Sequence, residues 1–323
     1  MERSEGKEQP MSAKRIALAL VAVLVLALAA CGEPAIDELP DEEITVGLSI
    51  STLANPFFVT LRDGAQEAAD AAGVELVVAD SRDDASTEAD NMQDLIVQEV
   101  DVIIINPVDS DAAVAAVESA NQAGIPVVTV DRGVTGGEIV SHIASDNVLG
   151  GRLAGELLFE LIGGSGKVAQ LEGIPGTSAA RDRGTGFEEA LAAAEDIELV
   201  TSVTANFSRD EGFTVAQDVF TAHPDLDGLF AQNDEMALGA LEAAEAAGIA
   251  DDLIIVGFDA ADDALAAIAD GQMHGTVAQL PAEMGKIGVE QAVAVAQGET
   301  VDAEIPVEVE VVTEDNVGAF LDE

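Results

Sequence analysis

From Ile44 onward the chain repeats one theme that leaves few folds open. A short apolar run rich in Val and Ile is followed by an Ala-rich stretch of helical period. The runs are ITVGLSI, VELVVAD, VDVIIIN, IPVVTVD, IVSHIAS, KVAQLEG, ELVTSVT, LDGLFAQ, LIIVGFD and GTVAQL. Continuous β-branched runs suit strands covered by helices on both faces, the habit of parallel sheet. Strand and helix in alternation then give an α/β, doubly wound architecture. Ten strands exceed the usual single sheet, so two sheets in two similar domains are expected, and 323 residues accommodate both.

In open parallel sheets ligands bind beyond the carboxyl ends of the strands, so the last residue of each run is where function concentrates. Those ends are Asn106 after VDVIII, Asp131 after IPVVTV, Asn233 after LFAQ, Asp259 after IIVGF and Gln279 after GTVA. Asp and Asn are also the usual helix caps, so each has that second reading. Asp131 stands apart because Arg132 follows it, and only nine Lys and Arg come after Cys31. The first run leads into ANPFFVTLRDG, which sets Asn55, Phe57 and Phe58 where strand gives way to helix, in a chain with ten Phe and no Tyr or Trp. Phe is among the most frequently buried residues, so the pair reads as core unless its surroundings say otherwise.

Sixty-two Asp and Glu against 13 Lys and Arg give a formal net charge of -49. That charge repels nucleic acid. Acidic composition signals disorder only when apolar content is low, and here apolar residues make up 48%. The acids therefore form a solvated shell around real cores. Such a shell suits high salt or high pH, and it predicts stability that rises as added ions screen the self-repulsion.

Residues 11–31, MSAKRIALALVAVLVLALAAC, have a charged start at Lys14 and Arg15, an apolar centre and a small-residue end, which is the plan of an export signal. The apolar run is short for a spanning helix. Leu28-Ala29-Ala30-Cys31 resembles the lipobox of bacterial lipoproteins, in which the cysteine is diacylated and becomes the new N-terminus. Two acyl chains make a stable anchor where one is marginal. Cys31 is the only cysteine, so the chain forms no internal disulfide and no Cys-based metal site. Translation starting at Met11 is an alternative to Met1. Residues 32–43, GEPAIDELPDEE, read as a polar tether.

Catalytic motifs do not fit. GGSGKV at Gly163–Val168 lacks the Ser or Thr of a phosphate loop and precedes a strand, so it reads as a plain turn. There is no G-x-S-x-G elbow and no full G-x-G-x-x-G opening a helix. His142, His223 and His274 lack metal-ligand spacing. Asp131 and Asp259 invite a glycosidase carboxylate pair, but an adjacent arginine favours the charged form that a general acid must avoid. No enzyme and no cofactor is expected.

STLANPFFVTLRDGAQEAAD, IINPVDSDAAVAAV, PVVTVDRG, SHIASDNVLGGRLAGE, GIPGTSAARDRGTGF, TAHPDLDGLFAQNDEMALGAL, VGFDA and VAQLP together resemble, in order from about Ile44 to Val312, the D-ribose-binding receptors of bacterial ABC importers. These are periplasmic binding proteins of type 1. The resemblance implies two Rossmann-like lobes with parallel sheets joined by a three-strand hinge, closing on sugar. It places residues 44–145 with 280–308 in an N-terminal lobe and residues 146–279 with 309–323 in a C-terminal lobe. Carried over by position, the sugar contacts are Asn55, Phe57, Phe58, Asn106, Asp131 and Arg132 from the first lobe. Arg183 (in preference to Arg181), Phe207, Asn233, Asp259 and Gln279 come from the second. It also implies ABC permease subunits as partners, a chemoreceptor as a second reader of the closed form, a monomer, and an exported, lipid-anchored location at the outer face of the cytoplasmic membrane. Allose, xylose or a furanose signalling sugar are the alternatives to D-ribose. A DNA-binding regulator of the same architecture is opposed by the export signal and the charge.

The chemistry of those residues suits an uncharged monosaccharide. A pyranose shows C–H groups on its faces, against which Phe rings stack, so Phe57 or Phe58 is expected on one face and Phe207 on the other. Around the edge, carboxylates accept hydroxyl protons, Asn and Gln do both, and Arg offers a planar fork of donors. Two Asp and two Arg leave the pocket formally neutral.

Overall fold

The computed structural model describes residues 44–321. The expected signal peptide with Cys31, and the tether at 32–43, lie outside the described residues. Strands β1 (Thr45–Ile50), β2 (Glu75–Asp80), β3 (Val102–Ile105), β4 (Val127–Val130) and β5 (Ser141–Ser145) are joined in part by helices α1 (Pro56–Ala72), α2 (Ala85–Val97) and α3 (Val114–Gln122). Next come α4 (Asn147–Leu161), β6 (Gly166–Glu172), α5 (Ser178–Ala193), β7 (Ile197–Thr204), α6 (Arg209–Ala222), β8 (Gly228–Ala231) and α7 (Asp234–Ala247). The chain continues through β9 (Ile254–Val256), α8 (Asp262–Ala269), β10 (Thr276–Ala278), α9 (Pro281–Ala296), β11 (Glu304–Val307) and β12 (Glu310–Val312).

The first sheet has the order β11-β5-β4-β3-β1-β2 and the second β7-β6-β8-β9, every pair in both being parallel. Alternation along β3 shows why both faces are covered. Val102 and Ile104 pack with Leu61 of α1 and Met284 of α9, whereas Ile103 and Ile105 pack with Met92 and Leu95 of α2 and Val117 of α3. The second sheet does the same: Leu229 and Ala231 face α6 and α7, and Phe230 faces Leu158 of α4 and Phe187 of α5. Burial of both faces is what the unbroken Val/Ile runs demand.

All ten runs are strands, and the described residues contain two further strands. β11 carries Pro306 and a mostly exposed pattern, which is tolerated because it is an edge strand, and β12 is three residues long. Neither shows a continuous apolar run. β12 pairs antiparallel with β10, so a small antiparallel element accompanies the parallel sheets. The chain passes from one sheet's layers to the other's three times: between β5 and α4, between β10 and α9, and between β11 and β12. Gly163 and Gly164, at φ +83° and +80°, simply turn the chain from α4 toward β6.

Candidate functional site

In each sheet one strand has neighbours that lead to opposite sides, β1 between β2 and β3 and β6 between β7 and β8. Crevices form beyond the carboxyl ends of strands at such points. The two crevices face each other, and side chains from both line a partly open cavity with about 240 Å³ of empty space. Its wall contains Asn55, Phe57, Phe58, Asp131 and Arg132 from the first lobe, with Arg183, Phe207, Asn233, Asp259, Gln279 and Ala179 from the second. Ten of the eleven residues singled out in the sequence thus meet in one place.

Local structure fixes each of them. Asn55 caps α1, its Oδ1 accepting the Phe57 amide at 2.9 Å, and Asn233 caps α7 by accepting the Met236 amide at 3.0 Å. Both cap and wall readings hold for these two. Asp131 and Phe207 have left-handed backbone, at φ +61° and +57°, and Asp259 stands at +127°. Such conformations cost on the order of 1–3 kcal/mol each for residues with side chains and cluster at functional sites.

Charged groups are arranged as two buried ion pairs. Arg132 Nε is 3.7 Å from Asp131 Oδ2, and Arg183 Nη1 is 3.6 Å from Asp259 Oδ1. Arg132 Nη1 donates to the Pro107 carbonyl at 3.2 Å. Arg183 is held harder: Nε donates to Asn147 Oδ1 at 2.8 Å and Nη1 to the Gln232 carbonyl at 2.7 Å. Gln279 Nε2 donates to Asp259 Oδ1 at 2.7 Å. Arg132 Nε and Gln279 Oε1 are buried and have no hydrogen-bond partner in the protein. Burial pushes the Asp259 carboxyl up to about 7 although Arg183 opposes this, and burial lowers both guanidinium groups from their ordinary value.

Aromatic rings form the apolar walls. Phe57 and Phe58 meet edge to face, with centroids 5.1 Å apart, and both also pack into the first core. Core and wall are therefore not alternatives for this pair. Phe207 comes from the second lobe, and its ring lies over Gly173, where a Cβ would fall 2.0 Å from the ring's Cζ. The Arg132 guanidinium stands 5.0 Å from the Phe58 ring centroid, and Arg183 stacks 3.9 Å from that of Phe258.

Asn106, the eleventh, is fully buried next to this wall, donating from Nδ2 to Asp131 Oδ2 at 3.0 Å and to the Val130 carbonyl at 3.1 Å. Ala179, Asn147 and Phe258 were not picked out in the sequence. Ala179 is a small residue in a helix, and the other two act behind Arg183, so nothing in their local sequence marks them. Among the described residues, no group of three or more His, Cys, Asp or Glu side chains is placed to hold a metal ion.

The periplasmic binding protein domain family matches residues 46–300. The chain belongs to that family. This periplasmic binding protein is 49% identical to the ribose import binding protein RbsB of Salmonella typhimurium over 302 residues, 94% of this chain and 99% of the relative. It is 45% identical to RbsB of Bacillus subtilis over 264 residues, 82% of this chain and 85% of the relative. Among solved structures it resembles an ABC transporter periplasmic solute binding protein from Actinobacillus succinogenes with bound D-allose. The TM-score is 0.81 at 32% identity, covering 86% of this chain and all of that one.

Proposed function

We propose that this periplasmic binding protein captures D-ribose outside the cytoplasmic membrane and delivers it to an ABC importer by closing two lobes around the sugar. The observation that carries the reading is the convergence of Asp131 and Arg132 from one lobe with Arg183 and Asp259 from the other on a small cavity walled by Phe57, Phe58 and Phe207. Rings take the sugar's C–H faces, and the paired charges take its hydroxyls. Each hydrogen bond to a charged group contributes roughly 1.5–3 kcal/mol, and a sugar lacking one hydroxyl leaves a buried charge unsatisfied. Relatives at 45–49% identity named for ribose import support ribose over other monosaccharides.

Contacts from both lobes favour the closed state, and the three crossings form the hinge on which it closes. In this reading residues 44–145 with 280–308 move against residues 146–279 with 309–323. A permease, and a chemoreceptor where one is present, read the closed face, and the protein acts as a monomer. Residues 1–31 direct export, and diacylation of Cys31 tethers the protein to the outer face of the membrane. Binding proceeds without chemistry, a reading supported by the solute-binding family and by relatives named as import binding proteins.

Calorimetric titration of the purified chain against pentoses and hexoses tests the reading. Heat is expected with ribose, with Asp259→Ala and Arg183→Ala each weakening binding at least tenfold, about 1.4 kcal/mol. Recovered sugar should be chemically unchanged. Preference for D-allose, the ligand of the 32% identical structure, would shift the ligand while keeping the site. Unaltered affinity in both variants would remove the site assignment.

A further inference from the structure

Asp234 is fully buried at the start of α7 and is not part of the cavity wall. Its Oδ2 accepts the Ala261 amide at 2.8 Å and its Oδ1 accepts the Thr276 hydroxyl at 2.7 Å. Thr276 Oγ1 in turn accepts the Ala260 amide at 3.4 Å. The two peptide N–H groups so held are those that follow Asp259. Here two consecutive non-glycine residues have positive φ, +127° for Asp259 and +60° for Ala260, a strained backbone. Gly257 makes room for the arrangement, because a Cβ there would lie 2.1 Å from Asp234 Oδ1.

A buried carboxylate is costly, and burial together with the charge on Asp259 pushes the Asp234 carboxyl well above its ordinary range. Helix capping does not explain tolerance of that cost, since Asn233 already caps α7. We propose that Asp234, acting with Thr276, is a positioning residue for the sugar site: it clamps the left-handed Asp259–Ala260 turn and so aims the Asp259 carboxylate at Arg183 and Gln279. The inference rests on the reading of Asp259 as a sugar contact, and it adds a residue that reaches the sugar only through the backbone.

The test uses purified full-length protein carrying Asp234→Ala, Asp234→Asn or Thr276→Val. Amide hydrogen exchange at Ala260 and Ala261 is followed by NMR without sugar, and ribose affinity by calorimetry. Asp234→Ala is expected to speed exchange at both amides and to weaken ribose binding, each by about tenfold or more. Asn keeps the size, accepts from Ala261 through Oδ1 and donates to Thr276 through Nδ2. It should return both quantities to within about threefold of wild type, a rescue that a general loss of stability would not give. Thr276→Val should loosen Ala260 more than Ala261 and weaken binding less, and it decides the matter should Asp234→Ala not fold. Unchanged exchange in folded variants overturns the clamp. Faster exchange with unchanged ribose affinity overturns the positioning role. A wild-type protein that binds no sugar overturns the functional reading, while the exchange result still decides the clamp.

Discussion

Asn106 stands behind Asp131 and donates to its Oδ2 at 3.0 Å while accepting the Ser51 amide at 3.3 Å. One amide thus ties together the segments that follow β1, β3 and β4. Asn106→Ala leaves the buried Ser51 amide without this acceptor and frees the Asp131 carboxylate to swing. The expected cost is about 1–3 kcal/mol of stability and a three- to tenfold loss of ribose affinity. Denaturant melts and calorimetry check the two separately. Lower stability with undiminished affinity would reduce Asn106 to scaffold.

Gly173 makes the Phe207 wall possible. A methyl group there would lie 2.0 Å from the ring's Cζ, so Gly173→Ala must displace the ring. Phe207 has little freedom to follow, because its own backbone is held at φ +57°. Overpacking of this kind costs about 1–3 kcal/mol. Ribose affinity is expected to fall at least tenfold. Adding Phe207→Leu should relieve the crowding and recover melting temperature, but not affinity. Recovery of both would show that the ring does not face the ligand.

Much of this site was legible in the sequence, for a definite reason. A parallel strand that is buried on both faces ends where its apolar run ends, so Asp131, Asn233, Asp259 and Gln279 could be located by reading runs to their last residue. Depth could not be read. Asn106 occupies the same kind of position as Asp131, yet it is fully buried and its amide is bonded to Asp131 Oδ2 and the Ser51 N–H. Asn147 and Asp234 were beyond reach, because they act on groups 36 and 27 residues away, Arg183 and Ala261, through contacts that exist only after folding. β11 and β12 escaped notice for the opposite reason, since partly exposed edge positions carry no run to detect.

Asp259 predicts opposite pH dependences for folding and for binding. Its carboxyl is pushed by burial from an ordinary 3.8 up to about 7. Between those values the folded protein keeps a proton that the unfolded chain has released. Asp259 therefore makes stability fall as pH rises through that window, levelling above about 7. Ribose hydroxyls need a carboxylate acceptor, so affinity should rise over the same range, by about fivefold or more from pH 6 to pH 8. Glu88, which burial also pushes to about 7, adds to the stability trend. Asp259→Asn separates the two, because its affinity should be flat with pH while part of the stability slope remains. A wild-type affinity independent of pH would show that the carboxylate is not the acceptor.

Three hydrogen bonds join the lobes away from the charged side chains of the cavity. The Ser110 amide donates to the Gly176 carbonyl at 3.2 Å, the Ser178 amide to Ser110 Oγ at 3.1 Å, and the Gly133 amide to Ser178 Oγ at 2.9 Å. These bonds exist only while the lobes are together, so they weight the closed state whichever sugar is bound. Ser178→Ala removes the Gly133 bond and leaves the α5 backbone in place. A neutral hydrogen bond contributes about 0.5–1.5 kcal/mol, which corresponds to roughly two- to twelvefold in the closing equilibrium. Ribose affinity should drop by that factor, chiefly through faster dissociation, since the closed complex opens more readily. Melting of the ligand-free protein should change little, because neither lobe's core is touched. Stopped-flow kinetics that show slower association with unchanged dissociation would place the effect in the open state and refute this account of the bonds.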